Sequence, residues 1–361
     1  MGADTLPVRL LRQRRVRKAP VRPLLPQEQI TGARLCYNTQ NVEITLRASH
    51  KIVKYRIIVT GGAGFIGSHV ADRYLAAGHH VAVIDNLTTG FRKHVPKKAT
   101  FYKADIRNLK RLETIFKKER PHVVNHHAAI AEVIKSVRNP IPTFETNVLG
   151  TANVFLALGH YGSRGKRKFI FSSTGGAIYG DPKKIPADER TEPIPLSPYG
   201  LSKLLGEHII KFYSARFQIP YLIFRYPNVY GPRQNPKGEA GVVAIVGGQM
   251  KHQKKVYIFG DGTKTRDYVF VEDIARANLT ALSRGRNVIL NLGSGKETSD
   301  QQIIDLIAEA THYPRTPIYT PFREGEVYRI ALNAKKAQQL LRWKPKVSLK
   351  EGIRKTLATI P

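Results

Sequence analysis

The chain has 361 residues, 42% of them hydrophobic, a formal net charge of +32 and a single cysteine. This apolar fraction supports a large core and excludes a wholly disordered chain. One thiol, Cys36, excludes an internal disulfide framework, so we expect a cytoplasmic location and no metal site. No apolar run reaches the roughly 18 residues of a membrane span, so neither membrane insertion nor secretion is expected.

Residues 1–53 form a basic segment that differs from the rest of the chain. Their 10 Lys/Arg and 3 Asp/Glu contribute +7, which leaves +25 on the remaining residues. Four prolines interrupt any helix or strand in this segment, so it is interpreted as an extension. It is a disordered basic arm, an organelle-targeting peptide or the result of a start site assigned too far upstream. We favour the last, because a strand-forming sequence begins at Val53.

From Arg56, apolar runs of strand length alternate with helical stretches, which predicts right-handed βαβ units and a parallel sheet. The expected fold class is α/β, a Rossmann-type doubly wound parallel sheet with a smaller C-terminal α/β domain. Strands are predicted at 56–60, 80–85, 100–105, 122–126 and 168–173, and helices near 65–77, 108–119, 143–160, 199–217, 272–283, 300–310 and 334–341. The domains are predicted at 54–227 and 228–361, with the chain returning to the main sheet around 255–275.

A glycine-rich loop follows the first predicted strand and enters the first helix. Gly61, Gly64 and Gly67 fit the pattern G-x-x-G-x-x-G. Glycines permit a tight turn and let backbone N–H groups approach a pyrophosphate, while the helix N-terminus adds partial positive charge. Because a strand precedes the loop and a helix follows it, the pattern predicts a dinucleotide site.

Asp85 ends the second predicted strand, 18 residues after Gly67. A carboxylate at this position accepts hydrogen bonds from the adenosine ribose hydroxyls and repels a 2′-phosphate, which favours NAD over NADP. Arg92 and Lys93 are near in sequence and leave NADP open as an alternative.

Two Tyr-x-x-x-Lys pairs occur, Tyr179 with Lys183 and Tyr199 with Lys203. An Asp-Pro dipeptide inside the first pair blocks a helix, whereas Tyr199 follows Pro198 at a predicted helix start. Residues i and i+4 of a helix share one face, so Lys203 would approach the phenol of Tyr199. That cation and the positive ring of NAD would lower the pKa of the phenol and make it a general base. An amphipathic surface helix explains the pair equally well when it is taken alone.

Several further motifs follow one another in a familiar order. They include TGGAGFIGSH (60–69), SSTGGAIYG (172–180), RYPNVYGPRQ (225–234), FGDGTKTRDYVFVEDIA (259–275) and NLGSG (291–295). From about Lys54 to Pro345 the sequence resembles the NAD-dependent epimerase/dehydratase family of extended short-chain dehydrogenases/reductases, most closely the UDP-glucose 4-epimerases. The resemblance implies an isomerase that inverts C4 of a UDP-hexose by transient oxidation to a 4-keto sugar, with NAD staying bound. It also implies a homodimer packed through the helices near 143–160 and 199–217.

The resemblance assigns roles to individual residues. Tyr199 would be the catalytic base, Lys203 would hold the cofactor ribose, and Thr174, or Ser173 in its place, would bond the substrate hydroxyl. The residues implied at the cofactor are Gly61, Gly64, Phe65, Ile66, Gly67, Asp85, Asn86, Asp105, Ile106, His127, Ala128, Ala129, Asn147, Tyr199, Lys203 and Tyr226. Those implied at the substrate are Thr174, Tyr199, Asn228, Val242, Val243, Arg266, Arg323 and Glu326.

The sequence departs from the family pattern at three places. Glycines follow Thr174 where dehydratases carry an acid, which argues against dehydration. The turn SSTGGAIYG is one residue longer than usual, so either Ser173 or Thr174 could be the hydroxyl that meets the substrate. Ile330 is smaller than an aromatic residue at a position that limits the 2-substituent, so N-acetylated UDP-hexoses are expected to fit. His126 stands beside His127 where the family usually has an apolar residue, and we expect it to pack or hydrogen-bond.

Two other functions are weighed against this one. Another NAD-dependent nucleotide-sugar epimerase or dehydratase would share most of these motifs. A basic nucleic-acid-binding protein on a Rossmann scaffold would account for the charge and for the RQRRVRK run at 12–18. Because no nucleic-acid-binding module is recognisable, we expect a UDP-sugar as the partner, and neither nucleic acid nor a membrane.

Overall fold

The computed structural model describes residues 53–236 and 241–360. The interpretations of the basic segment therefore lie outside the described residues, apart from Val53. The first half contains β1 (Arg56–Thr60), α1 (Phe65–Ala76), β2 (His80–Asp85), β3 (Thr100–Lys103), α2 (Leu109–Glu119), β4 (Val123–His126), α3 (Val133–Arg138), α4 (Pro140–Phe144), α5 (Gly150–Tyr161), β5 (Lys168–Thr174), α6 (Pro198–Phe217), β6 (Tyr221–Tyr226) and β7 (Asn228–Tyr230). The second half contains α7 (Val242–Lys251), β8 (Tyr257–Phe259), β9 (Thr265–Arg266), β10 (Tyr268–Phe270), α8 (Val271–Thr280), β11 (Val288–Asn291), β12 (Thr298–Ser299), α9 (Asp300–Thr311), β13 (Ile318–Thr320), α10 (Lys335–Leu341) and α11 (Leu349–Leu357).

Seven parallel strands form the main sheet, in the order β11-β6-β5-β4-β1-β2-β3. The chain proceeds in one direction from β1 to β3 and in the other from β4 to β6, so the strand order reverses between β1 and β4. Ligands of doubly wound sheets bind beyond the carboxyl ends of the strands at this switch point. The predicted fold class is confirmed.

The main sheet is buried on both faces. Successive strand residues point to opposite faces, and accordingly Val59 packs in a cluster with Val70 and Ile274, whereas Ile58 packs in another with Phe155. Helices α1 and α8 cover the first face, and α2, α5 and α6 cover the second. Strands buried on both sides need continuous apolar runs, which is why β1 to β5 could be recognised from the sequence, whereas β6 and β11 were not predicted.

The prediction that the chain returns to the main sheet around 255–275 is wrong for the strand. In that region β8 pairs with β13 and β10 with β7, each in a small two-stranded sheet. Gly260 and Gly262, both at positive φ, end β8 after three residues and turn the chain away. The strand that joins the main sheet is β11, beside β6, and α8 is the crossover helix that leads to it.

The predicted helix at 143–160 is divided in the structure. α4 ends at Phe144, Glu145–Leu149 form a π-helical turn, and α5 begins at Gly150. Such turns are rare and are found mostly at functional sites. No helix within the described ranges is long and apolar enough to cross a bilayer.

Candidate active site

The glycine loop between β1 and α1 is closed against the turn that follows β4. Gly61 has a φ of +68°, and a Cβ at this position would lie 2.6 Å from the backbone nitrogen of Ala128. A Cβ on Gly67 would collide with the carbonyl oxygen of Gly61. Phe65 and Ile66 open α1, so the loop and the first helical turn form a cradle of backbone at a helix N-terminus. This cradle fits the pyrophosphate of a dinucleotide.

Asp85 lies at the carboxyl end of β2, beside the glycine loop. Its buried carboxylate accepts hydrogen bonds from the backbone N–H groups of Ala63 at 3.0 Å and Leu87 at 2.8 Å. Burial raises the pKa of Asp85, and the two hydrogen bonds lower it. Leu87 adopts a φ of 62°, a left-handed conformation that is uncommon for a branched side chain. The loop after β2 is thus bent around a fixed carboxylate, as an adenosine ribose site requires.

A second acidic group lies beyond β3. Asp105 accepts a hydrogen bond from Asn86 at 3.1 Å and forms an ion pair with Arg107 at 2.9 Å. The hydrogen bond from Arg107 is the largest of the effects that lower the pKa of Asp105, to about 2, so this carboxylate stays charged. Ile106 is buried against Gly150, where a Cβ would collide with its side chain. The structure thus brings Asn86 and Asp105 into contact beyond the carboxyl ends of β2 and β3, and their place at an adenine stays a prediction.

The turn after β4 holds His127, Ala128 and Ala129. The His127 ring stacks on Tyr226 with 6.2 Å between the centroids. Its Nε2 is buried and has no hydrogen-bond partner, and burial lowers the pKa of His127 to about 3, so the ring is neutral. A buried polar atom without a partner at this turn leaves a hydrogen bond for a bound group to complete.

α6 carries the second Tyr-x-x-x-Lys pair in its first two turns. Ser197 is the N-cap, and its Oγ accepts a hydrogen bond from the Gly200 N–H at 3.2 Å, which fixes the start of the helix at Pro198. Lys203 is buried and its Nζ donates to the Ser172 carbonyl at 2.9 Å. Burial lowers the pKa of Lys203 to about 7, against the raising effect of the Glu207 charge.

The two hydroxyl groups at the end of β5 face different partners. The Thr174 side chain lies beside the phenol of Tyr199, whereas Ser173 Oγ donates to Glu207 Oε1 at 2.6 Å. Glu207 is in turn paired with Arg225 at 2.7 Å in a fully buried ion pair. Burial raises the pKa of Tyr199 to about 12, against the lowering effect of the neighbouring Thr174 hydroxyl. Thr174 is therefore the hydroxyl beside the phenol, and Ser173 belongs to a buried network.

The first pair is excluded from this arrangement. Tyr179 lies in the loop between β5 and α6 rather than in a helix. Its hydroxyl donates to Asn291 at 2.8 Å and accepts from Arg225 at 2.8 Å, so both of its hydrogen-bonding functions are used inside the protein.

Apart from Thr174 and Tyr199, the residues implied at the substrate follow β6 in the chain, and Arg323 and Glu326 lie in the loop after β13. Glu326 accepts from Lys264 Nζ at 2.5 Å and lies 3.9 Å from Arg323. The Arg323 guanidinium lies 3.2 Å from the centroid of the Phe259 ring, and Arg266 Nη1 donates to the Thr265 carbonyl at 2.8 Å. Sequence reasoning missed Lys264, whose ammonium is almost fully buried beside a carboxylate.

The remaining implied residues occupy less direct positions. Asn228 begins β7, next to Gly176 of the turn after β5. Val242 and Val243 open α7, where Val243 is buried in the C-terminal core. Asn147 lies in the π-helical turn, and its amide bonds the backbone of Ile130. In the described ranges no group of three or more His, Cys, Asp or Glu side chains is arranged to hold a metal ion.

Comparison with known proteins gives the family. The sequence profile of the NAD dependent epimerase/dehydratase family matches residues 57–293. The chain belongs to this family. A UDP-glucose 4-epimerase of Mycolicibacterium smegmatis is 39% identical over 308 residues, which cover 84% of this chain and 97% of that protein.

Solved structures of epimerase/dehydratase enzymes share the fold described above. The Thermotoga maritima UDP-glucose 4-epimerase, solved with UDP-glucose, is 45% identical, with a TM-score of 0.82 over 84% of this chain and 97% of that one. The Thermus thermophilus UDP-glucose 4-epimerase, solved with NAD, is 41% identical, with a TM-score of 0.80 over 84% and 98%. NAD is the cofactor of this family, and the glycine cradle, Asp85 and the turn at His127 fit it.

Proposed function

We propose that this epimerase/dehydratase protein is an NAD-dependent epimerase that inverts C4 of a UDP-hexose, UDP-glucose or UDP-galactose. The observation that carries the proposal is the contact between Thr174 and Tyr199 at the carboxyl end of β5, with Lys203 one helical turn away. Relatives that align over most of their length carry the name UDP-glucose 4-epimerase, which supports the same activity here.

The side chains of this chain would bind the sugar and move its proton. When bound, NAD supplies a reversible hydride acceptor and a positively charged ring. Tyr199 takes the proton from the sugar 4-hydroxyl and later returns it, while Thr174 orients that hydroxyl. Because burial holds the phenol pKa near 12 in the free protein, phenolate needs positive charge beside it, and Lys203 contributes part of that charge.

The nucleotide would be held by charged residues of the second half. A guanidinium group is planar and permanently charged, which suits Arg266 and Arg323 to a diphosphate. Glu326 would accept hydrogen bonds from the uridine ribose, and Asn228 would reach the diphosphate. Since Glu326 is already paired with Lys264, the ribose would share or exchange that partner.

A substrate panel tests the proposal. Purified protein is incubated with UDP-, dTDP- and GDP-hexoses, the epimers are separated, and the nucleotide that remains bound is identified. We expect interconversion of UDP-glucose and UDP-galactose with NAD retained, and a loss of about 10²- to 10⁴-fold in Tyr199→Phe. Tyr179→Phe is the control outside the site and should retain activity. Protein that retains NAD but interconverts no UDP-hexose contradicts the proposal.

Activity on N-acetylated UDP-hexoses remains a prediction from Ile330. This side chain is buried in a small apolar cluster with Ile178, Val327 and Leu332. An aromatic residue would not fit that cluster without displacement. Turnover of UDP-N-acetylglucosamine at a rate comparable to that of UDP-glucose would support the prediction, and no turnover would reject it.

We also propose that the protein is a homodimer that packs through α5 and α6. Large apolar side chains are exposed on α6, Leu201 at 40% and Phe212 at 68%, and on the π-helical turn before α5, Leu149 at 53%. Exposed apolar side chains of this size support an interface at these elements.

Light scattering after size exclusion tests the dimer. Leu201→Glu should give monomers, because an interface that excludes water cannot accept an unpaired carboxylate. Leu340→Glu, which changes an exposed leucine of α10, should leave the mass unchanged. A monomeric wild-type protein at micromolar concentration would reject the proposal.

A cytoplasmic location completes the proposal. It is supported by the single cysteine, since oxidising compartments favour paired thiols, and by the nucleotide sugars that the site would use. Cell fractionation with an antibody against the native protein tests it, and recovery in a membrane or secreted fraction would contradict it.

A further inference from the structure

A histidine with no assigned role lies beneath the cofactor turn. His126 is 1% exposed and lies between two threonines, with Nδ1 at 2.6 Å from Thr60 Oγ1 and Nε2 at 2.9 Å from Thr151 Oγ1. Thr60 directly precedes the glycine loop, and Thr151 lies in the first turn of α5. The imidazole of His126 therefore connects the end of β1 to the first turn of α5.

The neighbouring hydrogen bonds fix the direction of each of these contacts. Thr151 Oγ1 donates to the Asn147 carbonyl at 2.6 Å, so it must accept from His126 Nε2. Thr60 Oγ1 accepts from the Ala128 N–H at 3.3 Å and is free to donate to Nδ1. Only a neutral ring protonated on Nε2 satisfies all four groups.

The burial of the ring agrees with this tautomer. Burial lowers the pKa of His126 well below its ordinary value, and the charge of Lys203 lowers it further. The His126 ring stacks on Phe171 with 5.7 Å between the centroids, and Lys203 Nζ lies 4.9 Å from the centroid of the same Phe171 ring.

The chain of hydrogen bonds continues to the catalytic helix. Asn147 Nδ2 donates to the Ile130 carbonyl at 2.9 Å and to Ser202 Oγ at 2.9 Å. Ser202 Oγ donates to the Tyr199 carbonyl at 2.7 Å. Hydrogen bonds thus link Ala128, in the turn after β4, through His126 and Thr151 to the backbone carbonyl of Asn147. The side chain of the same Asn147 continues the connection through Ser202 to the backbone of Tyr199.

We propose that His126 is a positioning residue, which holds the turn 127–130 in register with α6 so that the phenol of Tyr199 keeps its place against the cofactor. The proposal rests on the proposed function, because its kinetic readout is epimerisation. A loss of register of about 1 Å costs up to about 10²-fold in rate, even far from the reacting atoms. An apolar residue in this position would fill the space without joining the two elements.

A matched pair of variants tests the link. Thr151→Val keeps the shape and removes the hydroxyl, whereas Thr151→Ser keeps the hydroxyl. We expect kcat to fall about 10-fold or more in Thr151→Val, with KM for the UDP-hexose within about 2-fold, and near wild-type kcat in Thr151→Ser. His126→Leu should lose as much as Thr151→Val, and the double variant should lose no more than either.

A control variant separates positioning from stability, and an NMR spectrum tests the tautomer. Phe169→Leu removes core volume from a ring 5.9 Å from His126 without touching a hydrogen bond, and it should lower the melting temperature but leave kcat unchanged. Nitrogen NMR of histidine-labelled wild-type protein should show one neutral ring protonated on Nε2 at neutral pH.

Several results would overturn the proposal. These are wild-type kcat in folded Thr151→Val, additive losses in the double variant, or a His126 ring that is charged or protonated on Nδ1. If the wild-type protein epimerises no UDP-hexose, the proposed function fails instead. The NMR spectrum would then still decide whether these hydrogen bonds exist.

Discussion

Lys203 is a buried ammonium group whose surroundings act on its charge in opposite directions. Removal from water disfavours the charged form, and the neighbouring carboxylate of Glu207 favours it. The result is a pKa of about 7 in the free protein, against an ordinary value of about 10.4. Lys203 is therefore a cation whose charge depends on its surroundings, and its burial costs stability in the free protein.

This cost predicts a pH dependence of stability. Between pH 7 and about 10 the unfolded chain holds more protons at this lysine than the folded protein, so the free energy of unfolding should rise with pH. Lys203→Met should lose this component of the slope and all epimerase activity, while Lys211→Met, an exposed lysine of the same helix, should retain both. Chemical denaturation of cofactor-free protein measures the slopes, and equal slopes in Lys203→Met and wild type would contradict the assignment.

Some residues of the site could be recognised from the sequence and others could not. The sequence distinguishes Tyr199 from Tyr179 by local information. Pro198 starts a helix at Tyr199, whereas Pro182 prevents a helix between Tyr179 and Lys183. The choice between Ser173 and Thr174 depends on Glu207 and Arg225, which lie on α6 and β6, so no local pattern contained it. Lys264 was missed because its only signal is a lysine inside the 259–275 motif, whereas the expectation that His126 packs or hydrogen-bonds is confirmed.

At the scale of elements, the start of α6 carries the proposed chemistry. Tyr199 is the second residue of the helix, so the N-cap Ser197 fixes the turn that bears the phenol. α11 offers a matched element, since its N-cap Ser348 accepts a hydrogen bond from the Glu351 N–H in the same way. An identical substitution at the two caps therefore separates position from stability.

Both Ser197→Ala and Ser348→Ala should lower the free energy of unfolding by about 1 kcal/mol. Ser197→Ala should in addition lower kcat several-fold, because the first turn frays and the phenol loses its place, whereas Ser348→Ala should leave kcat unchanged. Thermal unfolding and steady-state kinetics on both variants are sufficient. Equal kcat values in the two variants would show that the Ser197 cap does not contribute to activity.

The elements that sequence reasoning found are those whose signal is continuous. β1, β2 and β5 are apolar runs buried on both faces, and α1 follows directly from the glycine loop. The π-helical turn at Glu145–Leu149 and the short strands β8 and β10 have no such signal, since their geometry comes from partners distant in sequence. β11 was missed because Val288–Asn291 is only four residues long and its place beside β6 depends on the crossover through α8.

At the scale of the molecule, the net charge is the property that the site explains least. Residues 54–361 carry most of the +32, and the few basic residues proposed to hold the nucleotide account for a small part of it. The nucleic-acid-binding alternative is not favoured by the comparisons, which agree on epimerases. A basic surface would, however, attract anionic UDP-sugars and raise their rate of encounter with the site.

Ionic strength tests this effect. The value of kcat/KM for UDP-glucose should fall as salt is raised, since the Debye length shrinks from about 30 Å at 0.01 M to about 3 Å at 1 M, while kcat at saturating substrate should change little. A neutral viscogen serves as the control for diffusion. If kcat/KM stays constant over this range, the surplus charge has no part in substrate capture.

The end of β5 has a bearing on how such enzymes diverge. Neighbouring residues of a strand face opposite sides, so Ser173 and Thr174 cannot serve the same partner, whatever the length of the turn after them. An insertion in that turn leaves the alternation along the strand intact. A shift of one residue within the strand would exchange the roles of the two hydroxyls. An alignment that pairs serine with serine in this segment would then assign the substrate hydroxyl to the wrong residue.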